Sequence, residues 1–181
     1  MTAPTAVRFT YQDYRNLPEE SRYDIVDGDL QMSPSPTTVH QRIVLRLAEI
    51  LSAWARSSGA GEVFVAPCDV ILSETDVVQP DVLFVSRERG PIVQEKGVFG
   101  APDLIAEILS PATAERDRTV KAKLYARAGV RELWLVDPAS RTIEVLTAAP
   151  SGFLPAAIFR DADRVRSAVV KGLDLDPGKI F

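Results

Sequence analysis

Two carboxylates lie at positions that would normally hold an apolar side chain of a strand or a turn residue at a strand end. Glu107 lies within the run 104–109 (LIAEIL), and strand alternation places it on the same face as Ile105 and Leu109. Burying an ionised carboxylate costs several kcal/mol unless it meets a cation, a basic side chain or water. Glu107 is therefore either a functional group in a cleft or a strand-edge residue in solvent.

Asp81 is the second carboxylate. It follows Pro80 and opens the run 82–85 (VLFV), so its side chain would project from a strand end, where sites in sheet proteins commonly collect. A simple Pro-Asp turn is the competing interpretation. If the two strands are neighbours, Asp81 and Glu107 converge on one hard cation such as Mg²⁺, which binds one or two carboxylates and keeps several waters. Such a site activates water and neutralises charge on a phosphate.

Basic side chains are concentrated directly after Glu107, in a chain whose net charge is -4. Asp117, Lys121 and Tyr125 recur at steps of four, which forms one stripe of a helix and turns Lys121 toward the sheet while Lys123 points elsewhere. A solvated helix face and a phosphate-binding surface both agree with this pattern. The basic residues are Arg116, Arg118, Lys121, Lys123, Arg127 and Arg131.

The first half of the chain predicts the elements that position Asp81. A short helix is expected over 11–17, then a hairpin of 23–26 and 29–32 around the Asp27-Gly28 turn. A long amphipathic helix over 37–57 ends at Gly59 and Gly61. The β-branched runs 63–65, 70–72 and 82–85 are predicted to form a strand meander. The apolar stripe of the long helix consists of Val39, Ile43, Leu47, Ile50, Leu51 and Trp54.

The second half predicts the elements around Glu107. A strand over 103–109 leads into Ser110-Pro111, an N-cap and first helical position, so a helix should follow at once and end at Gly129. Its inner stripe is predicted to contain Val120, Leu124 and Ala128. Strands over 133–136 and 142–146 form a hairpin, and in the tail only Val169-Val170 gives a strand signal. This order predicts an α/β (α+β) fold with a mixed sheet flanked by helices.

Length and composition exclude several classes of protein. With 181 residues, 46% hydrophobic and 25% charged, we expect one domain over 1–181, with a core over about 10–146 and a tail over 147–181 packing on it. Cys68 is the single cysteine, which excludes an intramolecular disulfide and a cysteine-based zinc site. The opening MTAPTAVRFT lacks a targeting pattern and no membrane-spanning run follows, so we expect a cytoplasmic protein without a membrane partner. The acidic balance argues against a protein that coats nucleic acid, and any contact must be concentrated.

Several segments resemble one family when they are taken together. They are 79–81 (QPD), 106–111 (AEILSP), 117–125 (DRTVKAKLY) and 129–138 (GVRELWLVDP), preceded by 23–30 (YDIVDGDL) and the Ser-Pro stretch that leads to His40. This pattern, from about Thr10 to Leu146, is similar to the "putative restriction endonuclease" family of cyanobacteria and other bacteria. That family belongs to the PD-(D/E)XK nuclease superfamily.

The resemblance implies a fold and a chemistry. It implies a restriction-endonuclease-like mixed β-sheet flanked by helices, with an N-terminal β-hairpin, and Mg²⁺-dependent phosphodiester hydrolysis in which Mn²⁺ can substitute. Asp81 and Glu107 correspond to metal ligands, and the carbonyl of Ile108 to a backbone ligand. The superfamily lysine would stand two residues after Glu107, where this chain has Leu109.

The missing lysine has a candidate replacement. In families of this kind the lysine lies on the following helix, where Lys121 matches and Lys123 is the second candidate. A lysine can reach the attacking water or the phosphate from another element. The superfamily often carries an acidic residue on the first long helix, which makes Glu49 a candidate ligand, although its neighbours fit the core.

Other side chains are weaker candidates. His40 is a candidate contact to phosphate or water, or else a helix cap. Arg116, Arg118 and Lys123 are candidate contacts to DNA phosphates.

These observations predict a metal-dependent phosphodiesterase, acting as a DNA endonuclease in which Lys121 positions the attacking water or stabilises charge on the phosphate. One alternative is a catalytically silent relative that binds DNA or a partner protein, and another acts on RNA or a small phosphodiester. A homodimer is expected because enzymes that cut both strands often pair two sites. Phe153, Phe159 and Phe181 could supply its interface or close the monomer's own core.

Overall fold

Twelve strands form two six-stranded sheets in the described part of the chain, a computed structural model of residues 7–18 and 22–181. Residues 1–6 of the opening stretch considered above lie outside the described residues. The strands are β1 (Tyr23–Val26), β2 (Asp29–Met32), β3 (Gly61–Val65), β4 (Val70–Ser73), β5 (Asp76–Val78), β6 (Val82–Ser86), β7 (Val93–Gln94), β8 (Gly97–Phe99), β9 (Leu104–Ile108), β10 (Glu132–Asp137), β11 (Thr142–Ala149) and β12 (Gly152–Arg160). The helices are α1 (Tyr11–Tyr14), α2 (Thr38–Ser58), α3 (Ala114–Arg116) and α4 (Ala122–Ala128), with short 3-10 turns at Arg87–Ile92 and Pro177–Lys179.

The main sheet has the order β12-β11-β10-β9-β6-β3. Only β9 and β10 run parallel within it, so the predicted mixed sheet is confirmed. A parallel pair needs a crossover, which here is the helical segment 114–128 made of α3, a π-helical stretch (Asp117–Lys121) and α4. The second sheet has the order β2-β1-β5-β4-β8-β7 and begins with the predicted hairpin.

Each face of the main sheet is covered. One face packs against α2, whose side chains Leu47 and Leu51 are fully buried beside Trp134 of β10. The opposite face packs against segment 114–128 and the second sheet, with Leu124 and Tyr125 fully buried. Strand alternation in β9 therefore sends Ile105 and Glu107 toward segment 114–128, and Leu104 and Ile108 toward α2.

Helix α2 has the ends that its sequence predicts. The Thr37 side chain accepts a hydrogen bond from the His40 N–H at 3.2 Å, and Gly59 closes the helix with a left-handed φ of 63°. Its core-facing stripe differs from the predicted one in two ways: Val39 stays 48% exposed, and Val44 and Ala55, which were not predicted, are buried.

The meander prediction was wrong. Strands β3 and β6 pair in the main sheet, whereas β4 lies in the second sheet and pairs with β5, a three-residue strand that the sequence did not reveal. The β4–β5 hairpin lies between β3 and β6 in the sequence but belongs to the other sheet.

The predicted start of the helix after Glu107 was also wrong, and its predicted inner stripe was wrong at Val120. Helix α3 begins after Thr113, three residues beyond Ser110, and Val120 is 41% exposed, whereas Leu124 is fully buried and Ala128 packs against the core. Asp117 and Lys121, four residues apart in the π-helical stretch, share one face of the segment and are both buried.

The tail contains β12 rather than a strand at Val169-Val170. Val170 and Leu175 are buried against the main core as part of an irregular segment. Phe159 is buried, and Phe153 and Phe181 pack against this chain's own core. No helix among the described residues is both long and apolar enough to cross a membrane.

Candidate active site

Asp81 and Glu107 face each other across two neighbouring strands. Antiparallel pairing aligns Val82 of β6 with Ala106 of β9, so the next step of the register sets Asp81 opposite Glu107. The Asp81 N–H donates to Glu107 Oε2 at 3.4 Å. Pro80 lies between the end of β5 at Val78 and the start of β6 at Val82, so Asp81 stands directly before the first residue of β6.

Asp81 is fixed from two sides. Its Oδ2 accepts a hydrogen bond from the Ile108 N–H at 2.9 Å and lies 3.0 Å from Nε2 of His40 at the start of α2. The other imidazole nitrogen of His40, Nδ1, is buried and has no hydrogen-bond partner among the described residues. Asp81 Oδ1 accepts no hydrogen bond from a described residue, so this second carboxylate oxygen of Asp81 is free to face a ligand.

Glu107 accepts hydrogen bonds from two side chains of the helical segment 114–128. Lys121 Nζ lies 3.0 Å from Glu107 Oε1, and the Tyr125 hydroxyl donates to the same oxygen at 2.5 Å. All three side chains are buried. Lys121, whose spacing predicted a position facing the sheet, is thus in direct contact with the strand carboxylate.

Two further carboxylates surround the lysine. Asp117 Oδ1 lies 3.7 Å from Lys121 Nζ, and Asp24 Oδ2 of β1 lies 3.5 Å from it. Asp24 is 1% exposed and also accepts a hydrogen bond from the Gln79 N–H at 3.0 Å. Arg116 NH2 approaches Asp24 Oδ2 to 3.1 Å, but without hydrogen-bond geometry, and Arg116 Nε is buried and unpartnered among the described residues.

The cluster carries more negative than positive charge. Its ion pairs join four carboxylates to two permanent cations and His40; the carboxylates are Asp24, Asp81, Glu107 and Asp117, and the cations are Arg116 and Lys121. Burial raises the pKa of Glu107 to about 7, an effect that Lys121 opposes and the charges of Asp117 and Asp81 reinforce. Burial likewise raises the pKa of Asp117.

The pKa of Lys121 shifts in the opposite direction to the pKa of a lone buried amine. Burial alone would lower the pKa of Lys121, but the charges of Glu107, Asp24 and Asp117 outweigh it and raise that pKa. Burial, followed by the charge of Glu107, raises the pKa of Tyr125. Lys121 therefore stays an ammonium and Tyr125 a phenol, so the cluster can gain positive charge only by binding a proton or a cation.

All of these groups except Asp24 and Tyr125 line a pocket of about 280 Å³, which we call the main pocket. The Ser-Pro stretch 33–36 forms one wall and the turn 110–113 another. The charged and imidazole side chains that line it are Arg22, His40, Asp81, Glu107, Arg116, Asp117 and Lys121, and Ile108 lines it as well.

Three predicted residues lie outside the main pocket. Glu49 is exposed on α2, and nine residues from His40 amount to half a turn beyond two full turns, which puts it on the opposite side of the helix. Lys123 borders a separate cleft, beside segment 149–153. Arg118 is partly exposed and pairs with Glu144.

Two residues with polar contacts in the cluster, Asp24 and Tyr125, were not predicted as site residues. Asp24 shares a face of β1 with Val26, so the alternation that singled out Glu107 would also have singled out Asp24. The spacing placed Tyr125 on the stripe with Lys121, and its ring is buried, but the spacing did not predict that the Tyr125 hydroxyl donates to Glu107. Only the residues that face a tyrosine could have revealed that contact.

Paired carboxylates and a lysine at one edge of a mixed sheet agree with a nuclease-like fold. The structure is similar to the crystal structure of "a putative nuclease belonging to DUF820" from Anabaena variabilis, with a TM-score of 0.79, 20% identity, and coverage of 96% of this chain and 97% of that one. At this identity the likeness establishes the fold. No curated protein matches the chain. The Uma2 family model, described as "Putative restriction endonuclease", matches residues 11–178, and the chain belongs to this family.

Proposed function

We propose that the chain is a metal-dependent phosphodiesterase that cleaves DNA as an endonuclease, with Mg²⁺ as its cation and Mn²⁺ as a substitute. One observation carries the proposal. A single pocket joins the opposed carboxylates Asp81 and Glu107 to the buried ammonium of Lys121. Membership of a family described as restriction endonucleases agrees with it.

The residues present fit a hard divalent cation. Asp81, Glu107 and the backbone carbonyl of Ile108 would hold it, and Mg²⁺ needs only one or two carboxylates because it keeps several waters. Among the described residues no group of three or more His, Cys, Asp or Glu side chains is arranged to hold a metal ion, which disfavours a zinc-type donor set. The negative excess of the cluster favours a divalent cation. When bound, the cation would lower the pKa of a water and neutralise charge on the phosphate.

The chain's own side chains supply the remaining functions. The Lys121 ammonium, oriented by Glu107 at 3.0 Å, would donate to the attacking water or to a phosphate oxygen. The buried Nε of Arg116, which lacks a hydrogen-bond partner among the described residues, would donate to the phosphate and orient it. His40 holds Asp81 in place through Nε2 and keeps Nδ1 available to a ligand.

A second candidate is a silent relative that binds DNA or a partner protein without cutting. The observation in its favour is that three carboxylates surround Lys121, at 3.0, 3.5 and 3.7 Å, and could hold it as a structural counter-ion.

The test is cleavage of supercoiled, linear and single-stranded DNA and of RNA with Mg²⁺, Mn²⁺ or EDTA. We expect cleavage of DNA that EDTA abolishes and that Asp81→Asn and Glu107→Gln lose. Glu49→Gln, an exposed carboxylate on α2, is the matched control and should cleave like the wild type. A folded wild-type protein that binds DNA but cuts nothing would favour the silent alternative, and cleavage of RNA alone would overturn the DNA substrate.

The homodimer stays a prediction, which light scattering at micromolar concentration tests. Phe153, Phe159 and Phe181 pack within the chain, so a dimer would have to use other surfaces.

A further inference from the structure

A second pocket of about 330 Å³ adjoins the main pocket, and we call it the annex. The two share the lining residues Thr37, His40, Ser110 and Pro111, so the annex lies directly beside the main pocket. Its remaining lining residues are Val39, Leu109, Ala114, Arg118, Asp137, Pro138 and Ala139.

Val39 marks the annex as a surface that lacks its partner. Val39 belongs to the predicted apolar stripe of α2. The other residues of this stripe pack in the core, whereas Val39 lines the annex and is 48% exposed. Pro138, in the turn after β10, continues this apolar surface, and Leu109, just after β9 and 6% exposed, lies at its base. An exposed apolar surface that touches a polar site is typical of a place where a ligand binds.

Charges flank this apolar surface on two sides. Lys121 and Arg116 line the main pocket, and Arg118 lines the annex, where Glu144 pairs with its guanidinium and Asp137 is a further lining residue. The cations of the main pocket fit the scissile phosphate, and the adjoining apolar surface fits the base of the neighbouring nucleotide, whereas Glu144 and Asp137 offset the charge of Arg118. A duplex keeps its bases stacked inside, so only an unpaired or extruded nucleotide can place its base in a side pocket.

We propose that the annex binds the nucleobase next to the scissile phosphate, and that the substrate is therefore an unpaired nucleotide, in a single strand or extruded from a duplex. This inference rests on the proposed function, because it uses the main pocket as the phosphate site. Apolar contact with Val39, Leu109 and Pro138 tolerates any base, so the annex reads whether a base is unpaired rather than which base it is.

Binding without metal tests the annex separately from catalysis. The probes are a five-residue oligothymidylate and an abasic chain with the same number of phosphates, measured by fluorescence anisotropy in EDTA. We expect the thymidylate to bind about tenfold more tightly, the order obtained by burying about 50 Å² of apolar surface between the base and the annex. Val39→Ser should reduce this ratio about threefold, while Leu45→Ser, also exposed on α2 but outside both pockets, should keep it.

Equal affinity for the two probes, or a ratio that Val39→Ser and Leu45→Ser leave alike, would overturn the annex proposal. The same probes incubated with Mg²⁺ test the proposed function independently. Cleavage of thymidylate and abasic chain at equal rates would retain the nuclease and overturn the annex. Selective binding without cleavage in any metal would retain the annex and overturn the nuclease.

Discussion

Replacing Glu107 by glutamine should change how the stability of the metal-free protein depends on pH. The pKa of Glu107 is raised from its ordinary value of 4.5 to about 7, chiefly by burial. The folded protein therefore holds a proton that the unfolded chain releases. Stability is lost as the pH rises from about 4.5 to about 7, because the unfolded state then binds fewer protons than the folded state.

A rise in pKa from 4.5 to about 7 corresponds to about 3 kcal/mol of unfolding free energy. Glutamine cannot ionise, and its oxygen can still accept the hydrogen bonds of Lys121 and Tyr125. The variant should therefore gain about 3 kcal/mol relative to the wild type between pH 4.5 and 8, with little further change above that range. Burial raises the pKa of Asp117 as well, so both proteins also lose stability through this group as pH rises, and the difference between them reports Glu107 together with its interaction with Asp117.

Urea unfolding of both proteins in EDTA, at half-unit pH intervals, measures the difference. Glu49→Gln, an exposed position, controls for the loss of a glutamate. A wild type that instead gains stability over the variant as pH rises would refute the reasoning, because Glu107 would then be a favourable ion-pair partner of Lys121 rather than a strained carboxylate.

Three further perturbations have defined outcomes. Asp24→Asn loosens Lys121 and Arg116 and should lower kcat on oligonucleotides about tenfold or more with little effect on KM; an unchanged kcat would make Asp24 purely structural. Glu132→Ala leaves the Trp134 indole N–H, the Ser167 hydroxyl and the Ala168 N–H without their acceptor. The free energy of unfolding measured in urea should fall by about 3 kcal/mol or more, and a fall below about 1 kcal/mol would contradict this prediction. Mg²⁺ at a hundred times its Kd should stabilise the wild type at pH 8 by about 3 kcal/mol and Asp81→Asn much less, by calorimetry with and without EDTA; equal stabilisation of both would place the cation elsewhere.

The carboxylates could be predicted because their signals are local. Alternation in one strand identifies Glu107, and Pro80 identifies Asp81 as a strand end. Lys121 could be predicted from its four-residue spacing to Asp117 and Tyr125, although the π-helical stretch that aligns this stripe gave no signal. Asp24 and Lys121 meet because two sheets pack together, a contact between distant segments that no local pattern reveals.

The errors in the fold have physical causes of the same kind. In β12, Pro155 argues against a strand, but β12 is an edge strand and pairs past a register shift at Leu146, where the missing N–H is tolerated. Val169 and Val170 favour a strand by propensity, yet the Ser167 hydroxyl accepts both of their backbone N–H groups and bends the chain. Side-chain bonds to the backbone prevailed over β-propensity at that point.

The proposal that Lys121, together with Asp81 and Glu107, hydrolyses phosphodiester bonds rests on the position of this lysine in the main pocket. Its most direct test is the nicking of supercoiled plasmid in Mg²⁺ by Lys121→Met and Lys123→Met, purified identically and checked for folding. The two lysines stand two residues apart, but only Lys121 lies in the main pocket. We predict that Lys121→Met loses nicking by 100-fold or more, of the order expected for one group that stabilises developing charge, while Lys123→Met nicks like the wild type. Nicking that Lys121→Met retains, or that both variants lose equally, would contradict the account.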